Sequence, residues 1–151
     1  MSARKVIHDS FTIERVFDAA PQRLYDAFAT LEGKARWFVG PPGWTLLERQ
    51  FDFRVGGGER VAGRFADGTV SLFDAVYHDI VPAQRIVYSY RMAMGDTPIS
   101  VSLASLEITA DGAKAHLKMT EQGAFLDDFV DGGGREHGSK FLLEQLAATL
   151  D

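Results

Sequence analysis

The sequence predicts an α+β fold, an antiparallel β-sheet with helices covering one face. Between Trp44 and about Gln122, strand-like segments succeed one another, each bounded by Gly, Asp or Pro clusters. The polarity of Lys114 to Glu121 alternates with period two, whereas the carboxyl-terminal stretch from Arg135 to Leu150 changes to a 3.6-residue period. Runs of strands flanked by helices define the α+β class. The 151 residues are 46% hydrophobic and 25% charged with a net charge of −5, the composition of one soluble domain, read here as 1–151 with a core at about 11–150. At this length a domain buries roughly 70% of its unfolded surface, so a core forms without disulfides.

Phe11 to Phe17 alternates apolar and polar side chains and is the first predicted strand. Asp18-Ala19-Ala20-Pro21 ends it, and Pro21 suits the first helical position, where its missing N–H costs nothing. Leu24, Tyr25, Phe28 and Leu31 then form one apolar face of a short helix that Gly33 breaks, and Ala35 to Phe38 forms a second helical piece closed by Gly40-Pro41-Pro42-Gly43. Predicted strands follow at Trp44 to Leu47, Phe51 to Val55, Glu59 to Phe65, Thr69 to Tyr77, Arg85 to Met92, Ile99 to Ile108 and Lys114 to Glu121. Gly56-Gly57-Gly58, Asp67-Gly68, Gly95-Asp96 and Asp111-Gly112 supply the intervening turns. Phe125, Leu126, Phe129 and Val130 suggest a short amphipathic helical turn before the flexible Asp131-Gly132-Gly133-Gly134. In the terminal helix Ser139, Leu142, Leu143, Leu146 and Leu150 make one buried stripe.

Several functions are disfavoured at once. Twenty-one acidic against sixteen basic residues leave no positive field for nucleic acid. No apolar run approaches the ~18 residues of a membrane span, and the amino terminus has no signal-peptide core, so neither membrane insertion nor secretion is expected. The absence of cysteine removes thiolate chemistry and makes a reducing cytoplasm the expected compartment. His8, His78, His116 and His137 show no i, i+4 pair, so no metal and no other cofactor is expected. The serines occupy no Gly-x-Ser-x-Gly elbow, and Gly56-Gly57-Gly58 lacks the Lys-Ser/Thr of a phosphate loop. Asp127, Asp128 and Asp131 lack the ligand pattern of a calcium loop.

The chemical candidates are few. Glu121 has the parity to point inward with Ala115, Leu117 and Met119, where burial would raise its pKa. Acids are rarely buried, which favours instead a strand end open to water. His137 is the histidine nearest a prospective cleft, although a solvated position in the first turn of the terminal helix suits it better. Eleven Phe, four Tyr and two Trp are the compositional excess. Trp37, Phe38, Trp44, Phe53, Phe65, Phe73, Tyr90 and Phe141 are spread over nearly every element, as expected if they share one interior. With Met119, Glu121 and His137 they are the predicted lining of an apolar ligand cavity.

Phe17-Asp18-Ala19-Ala20-Pro21 with Leu24-Tyr25-Asp26-Ala27-Phe28, Ala35-Arg36-Trp37-Phe38, Phe51 to Gly57, and Gly138 with Leu143, Leu146 and Leu150 resemble the START-like (SRPBCC) superfamily. The branch most resembled is the bacterial homologues of the heat-shock-protein-90 ATPase activator carboxyl-terminal domain, over residues 11–150. The resemblance implies a helix-grip fold, in which a curved antiparallel sheet wraps a long carboxyl-terminal helix and two short helices after the first strand close one end of a cavity. It implies Trp37 and Phe38 at the short-helix wall. Relatives usually carry Trp after the glycine that opens the terminal helix; here Ser139 follows Gly138, which is expected to enlarge the cavity at that end.

Superfamily members bind and carry lipids and hormones, cyclise polyketides or regulate chaperones, so the fold alone does not choose among functions. The expected partner is a small hydrophobic or aromatic ligand. Binding ranks first, without catalysis. A cyclase- or hydrolase-like enzyme using Glu121, His137 or Tyr90 ranks second. A co-chaperone ranks third, since the eukaryotic activators have a further amino-terminal domain that this chain is expected to lack. A homodimer is left open.

Overall fold

The computed structural model describes residues 4–150. β1 (Val6–Phe17) leads into the short helices α1 (Pro21–Ala29) and α2 (Leu31–Ala35). β2 (Thr45–Phe51), β3 (Gly58–Arg64), β4 (Val70–Val81), β5 (Arg85–Met94), β6 (Thr97–Asp111) and β7 (Lys114–Leu126) precede α3 (Gly134–Thr149). The strands form one seven-stranded antiparallel sheet in the order β1-β7-β6-β5-β4-β3-β2. The sheet is open and curved around α3, which is the helix-grip arrangement.

Consecutive hairpins build β2 through β7, and β1 closes beside β7 with Ile13 opposite Met119 and Phe17 opposite Ala115. The short helices carry the chain from one sheet edge to the other. Alternation sets the inner face: in β7, Ala115, Leu117, Met119, Glu121, Gly123 and Phe125 are all buried. The core gathers at one end, where Phe17, Leu24, Leu117 and Leu146 are almost fully buried between the sheet, α1 and the second half of α3.

Local chemistry explains the helix ends. Ala20 is the N-cap of α1 with Pro21 in the first turn. The break between α1 and α2 falls at Thr30, not at the expected Gly33. The Thr30 hydroxyl donates to the Asp26 carbonyl at 2.8 Å and accepts from the Gly33 N–H at 3.0 Å, so it closes one helix and caps the next. α2 therefore lies earlier than the predicted piece at Ala35 to Phe38, and Trp37 and Phe38 follow it in a turn bonded to the Lys34 carbonyl.

Two strand boundaries also differ from expectation. The predicted pair Trp44 to Leu47 and Phe51 to Val55 is the single strand β2, after which Asp52 to Gly57 folds into a turn closed by Gly57 N–H to the Arg54 carbonyl at 2.8 Å. The predicted helical turn at Phe125 is instead the end of β7, which pairs on both sides, Phe125 lying opposite Ile7 of β1 and Ser100 of β6. A two-sided hydrogen-bond ladder outweighs the local helical spacing. No helix among the described residues is long and apolar enough to cross a membrane.

Candidate functional site

The first half of α3 stands away from β3, β4 and β5 and leaves a pocket of about 490 Å³ between helix and sheet. Small residues on the helix make the space. Gly134, Gly138 and Ser139 present little side chain toward the sheet, and Ser139 is nevertheless buried. Trp37, Phe38 and Trp44 wall one side of the pocket, Phe65, Phe73 and Tyr90 rise from the sheet side, and Met119 lies on the floor. Phe141 sits at the rim, 43% exposed. These are eight of the eleven residues expected there from sequence.

The other three lie elsewhere. Phe53 turns into the core, its ring stacked on Phe51 at 5.9 Å and edge-on to Tyr77 at 4.8 Å. The turn that replaces the predicted strand takes it there. His137 is exposed on α3 and does not line the pocket, since its helical position points away from the buried stripe of Ser139, Leu143 and Leu146. Glu121 is only 2% exposed, so the expected water-facing strand end is corrected. It sits behind the pocket wall, bonded to Tyr90.

A chain of hydrogen bonds runs across this end of the pocket. Arg135 Nη1 donates to the Tyr90 hydroxyl at 2.9 Å, and that hydroxyl donates to Glu121 Oε2 at 2.8 Å. Arg135 Nη2 donates to Ser100 Oγ at 2.9 Å and Nη1 to Ser102 Oγ at 3.4 Å. The strand register makes this possible. Ser102 lies opposite both Tyr90 and Gly123, and Ser100 opposite Phe125, so small residues leave a slot for the arginine. Its guanidinium lies over the Tyr90 and Phe125 rings at 5.5 and 5.2 Å.

Burial raises the Glu121 pKa, against the opposing pull of the Tyr90 hydrogen bond and Arg135; Asp131 adds to the rise. Burial and the neighbouring Glu121 push the Tyr90 phenol well above its ordinary range, so it stays a neutral donor. Asp131 takes the backbone N–H of Arg135 at 2.9 Å and so supplies the cap that Gly133, at φ +83°, has no side chain to provide. Arg135 is the main site residue that its local sequence does not single out.

A second polar group fixes the aromatic wall. Lys34 Nζ bonds Glu59 Oε1 at 2.9 Å, and the Tyr77 hydroxyl donates to the same oxygen at 2.8 Å. The ammonium also lies 4.8 Å from the Phe38 ring centre. Trp37 Nε1 donates to the Ala27 carbonyl at 2.9 Å, while Gln145 of α3 donates to the Trp37 and Val39 carbonyls at 3.0 and 3.2 Å. Trp44 is held differently. Its indole lies against Gly40 and Gly63, where a Cβ on either glycine would overlap the ring. Among the described residues no cluster of three or more His, Asp or Glu is placed to hold a metal.

A curved sheet gripping a helix, with an apolar pocket between them, defines a START-like α+β protein of the helix-grip class. The chain belongs to the Activator of Hsp90 ATPase homolog 1-like protein family, whose sequence profile matches residues 18–151. It is similar to the Mll3558 protein of Rhizobium loti, 48% identical over 95% of this chain and 98% of that one, with a TM-score of 0.88. A protein of Rhizobium leguminosarum is 37% identical over 99% of this chain and 98% of its own, with a TM-score of 0.94. DynU16, from the dynemicin biosynthetic locus, shares the fold at 16% identity and a TM-score of 0.68, over 94% of this chain and 47% of its own. No curated protein matches the sequence.

Proposed function

We propose that this protein binds and carries a small hydrophobic or aromatic molecule in the pocket between α3 and the sheet. The observation that supports this most is the pocket itself, about 490 Å³ walled by Trp37, Phe38, Phe73, Met92 and Met119, with few polar groups. Its volume is within the ~300–1,000 Å³ range of small-molecule sites. Thermal-shift screening against a panel of apolar and aromatic compounds, with native mass spectrometry to count bound molecules, tests the reading. Stabilisation with one-to-one binding is expected. Failure of every apolar compound to stabilise the protein counts against it.

One observation favours a second reading, a cyclase- or hydrolase-like enzyme acting on such a ligand. Tyr90 and Arg135 line the pocket with the buried Glu121 behind Tyr90, a chain along which a proton held by Glu121 can pass through the Tyr90 hydroxyl to a ligand carbonyl. The biosynthetic setting of DynU16 is compatible with this reading. Product analysis after incubation with any bound compound separates the two, because a carrier returns its ligand unchanged. A co-chaperone role rests on the family name alone, and pull-down with an ATPase-stimulation assay decides it.

A further inference from the structure

The pocket's polar end is asymmetric in charge. Arg135 lines the pocket, and its side chain is 12% exposed. A cation buried to this extent ordinarily has a carboxylate in direct contact. Here the nearest carboxylate oxygen, Glu121 Oε2, is 4.0 Å from Nη1 and already takes the Tyr90 hydrogen. The groups in contact with the guanidinium are the neutral hydroxyls of Tyr90, Ser100 and Ser102. Asp131, which also lines the pocket, takes the backbone N–H of Arg135 with Oδ1 and forms no ion pair with the guanidinium.

A guanidinium carries five N–H donors in a planar fork. Three of them go to those hydroxyls. The Nε–H and one hydrogen of Nη2 meet no acceptor among the described residues. Nε and Nη2 together form an edge that grips a planar pair of oxygens by two parallel bonds. The three hydroxyls and the two aromatic faces meanwhile hold the fork in place before any ligand arrives.

We infer that the ligand is an apolar acid, its ring-sized hydrocarbon body lying among Phe73, Met92 and Met119 and its carboxylate taken by the Nε and Nη2 edge of Arg135. This rests on the pocket being a binding site and adds the ligand's chemical class. The carboxylate completes the charge balance that the hydroxyls leave open. The apolar walls set the rest of the molecule and reject strongly polar acids.

The test compares 2-naphthoate with 2-ethylnaphthalene, which share a ring system and differ in the acidic head. Affinities come from quenching of the tryptophan emission, on the wild type, Arg135→Met, Arg135→Lys and Leu103→Ala. In the wild type naphthoate binds at least about tenfold tighter, the size expected of charge-assisted hydrogen bonds in a desolvated site. Arg135→Met brings that ratio to about one. Arg135→Lys also lowers it, since an ammonium has no two-pronged edge, and it guards against misfolding of the methionine variant. Leu103→Ala, on the outer sheet face, leaves the ratio unchanged. Equal affinities in the wild type, or a naphthoate preference that survives both arginine substitutions, overturn the inference while leaving the pocket as a binding site. Binding of neither probe by the wild type overturns both.

Discussion

Tyr90 gives its phenolic hydrogen to Glu121 Oε2 over 2.8 Å, joining β5 to β7 across the intervening β6. The bond converts an inward-facing acid from an error of patterning into the base of the pocket wall. Glu121 lies opposite Ala104 and Phe11 in the ladder, so no neighbouring large polar group competes for Tyr90. Its burial has a consequence for the pH dependence of stability.

Because burial raises the Glu121 pKa above the unfolded value of 4.5, the folded state holds its proton at pH values where the unfolded chain has released it. The contribution is fully present below that pH and is lost as pH rises through the folded pKa, with a slope of at most about 1.4 kcal/mol per pH unit. Glu121→Gln removes that loss. Urea unfolding of both proteins between about pH 4 and about pH 8 is expected to show the variant gaining on the wild type as pH rises. A pH-independent difference would mean that Glu121 ionises as freely in the fold as outside it.

Lys34 and Glu59 have side chains 7% and 1% exposed, so the pair is a buried one and solvent screens it little. Lys34→Met leaves the Glu59 carboxylate without its cation and is expected to cost about 3–5 kcal/mol. Adding Glu59→Gln removes the stranded charge and restores at least half of the loss. Urea denaturation of the single and double variants measures both. Additive losses in the double variant would show that the two side chains act independently.

Gly63 leaves room on the inner face of β3 for the Trp44 indole. Gly63→Ala places a methyl group where the ring lies, so Trp44 must move outward. A destabilisation of about 1–3 kcal/mol is expected from the overpacking, together with a red shift of the tryptophan emission. Trp37, buried at 3% exposure and bonded to the Ala27 carbonyl, is the unmoved reference. An unshifted spectrum would show that Trp44 is not packed on this glycine.

Ser139 faces the pocket from α3 and leaves space there. Ser139→Trp fills part of the space between helix and sheet. The variant is expected to keep its far-ultraviolet circular dichroism while losing the thermal shift produced by 2-ethylnaphthalene. Retention of the full shift would place the apolar ligand elsewhere.

Periodicity is a local property, and what it can establish was already present in the chain. The alternation through Ala115, Leu117 and Met119 continues to Glu121, and the stripe from Ser139 to Leu150 orients α3. Those patterns determined the α+β class, the order of the elements and most of the residues that face inward. The rarity of buried acids argued against Glu121 because nothing near it in sequence supplies a partner. Its partner is 31 residues away.

Tertiary structure alone decided which inward polar groups meet. Arg135 follows three glycines and looks like a solvated helix start, but its hydroxyl partners lie 33 to 45 residues earlier, aligned only when β5, β6 and β7 pair in register and α3 crosses them. Lys34 and Glu59 meet across 25 residues, and Trp44 settles on Gly63 only once β2 and β3 have paired. Phe53 was drawn from the expected cavity into the core by a turn whose hydrogen bonds outweigh a short run of alternation. Side-chain polarity and spacing are carried by the chain itself, whereas the charge balance and shape of a pocket depend on contacts between residues that only the folded sheet brings together.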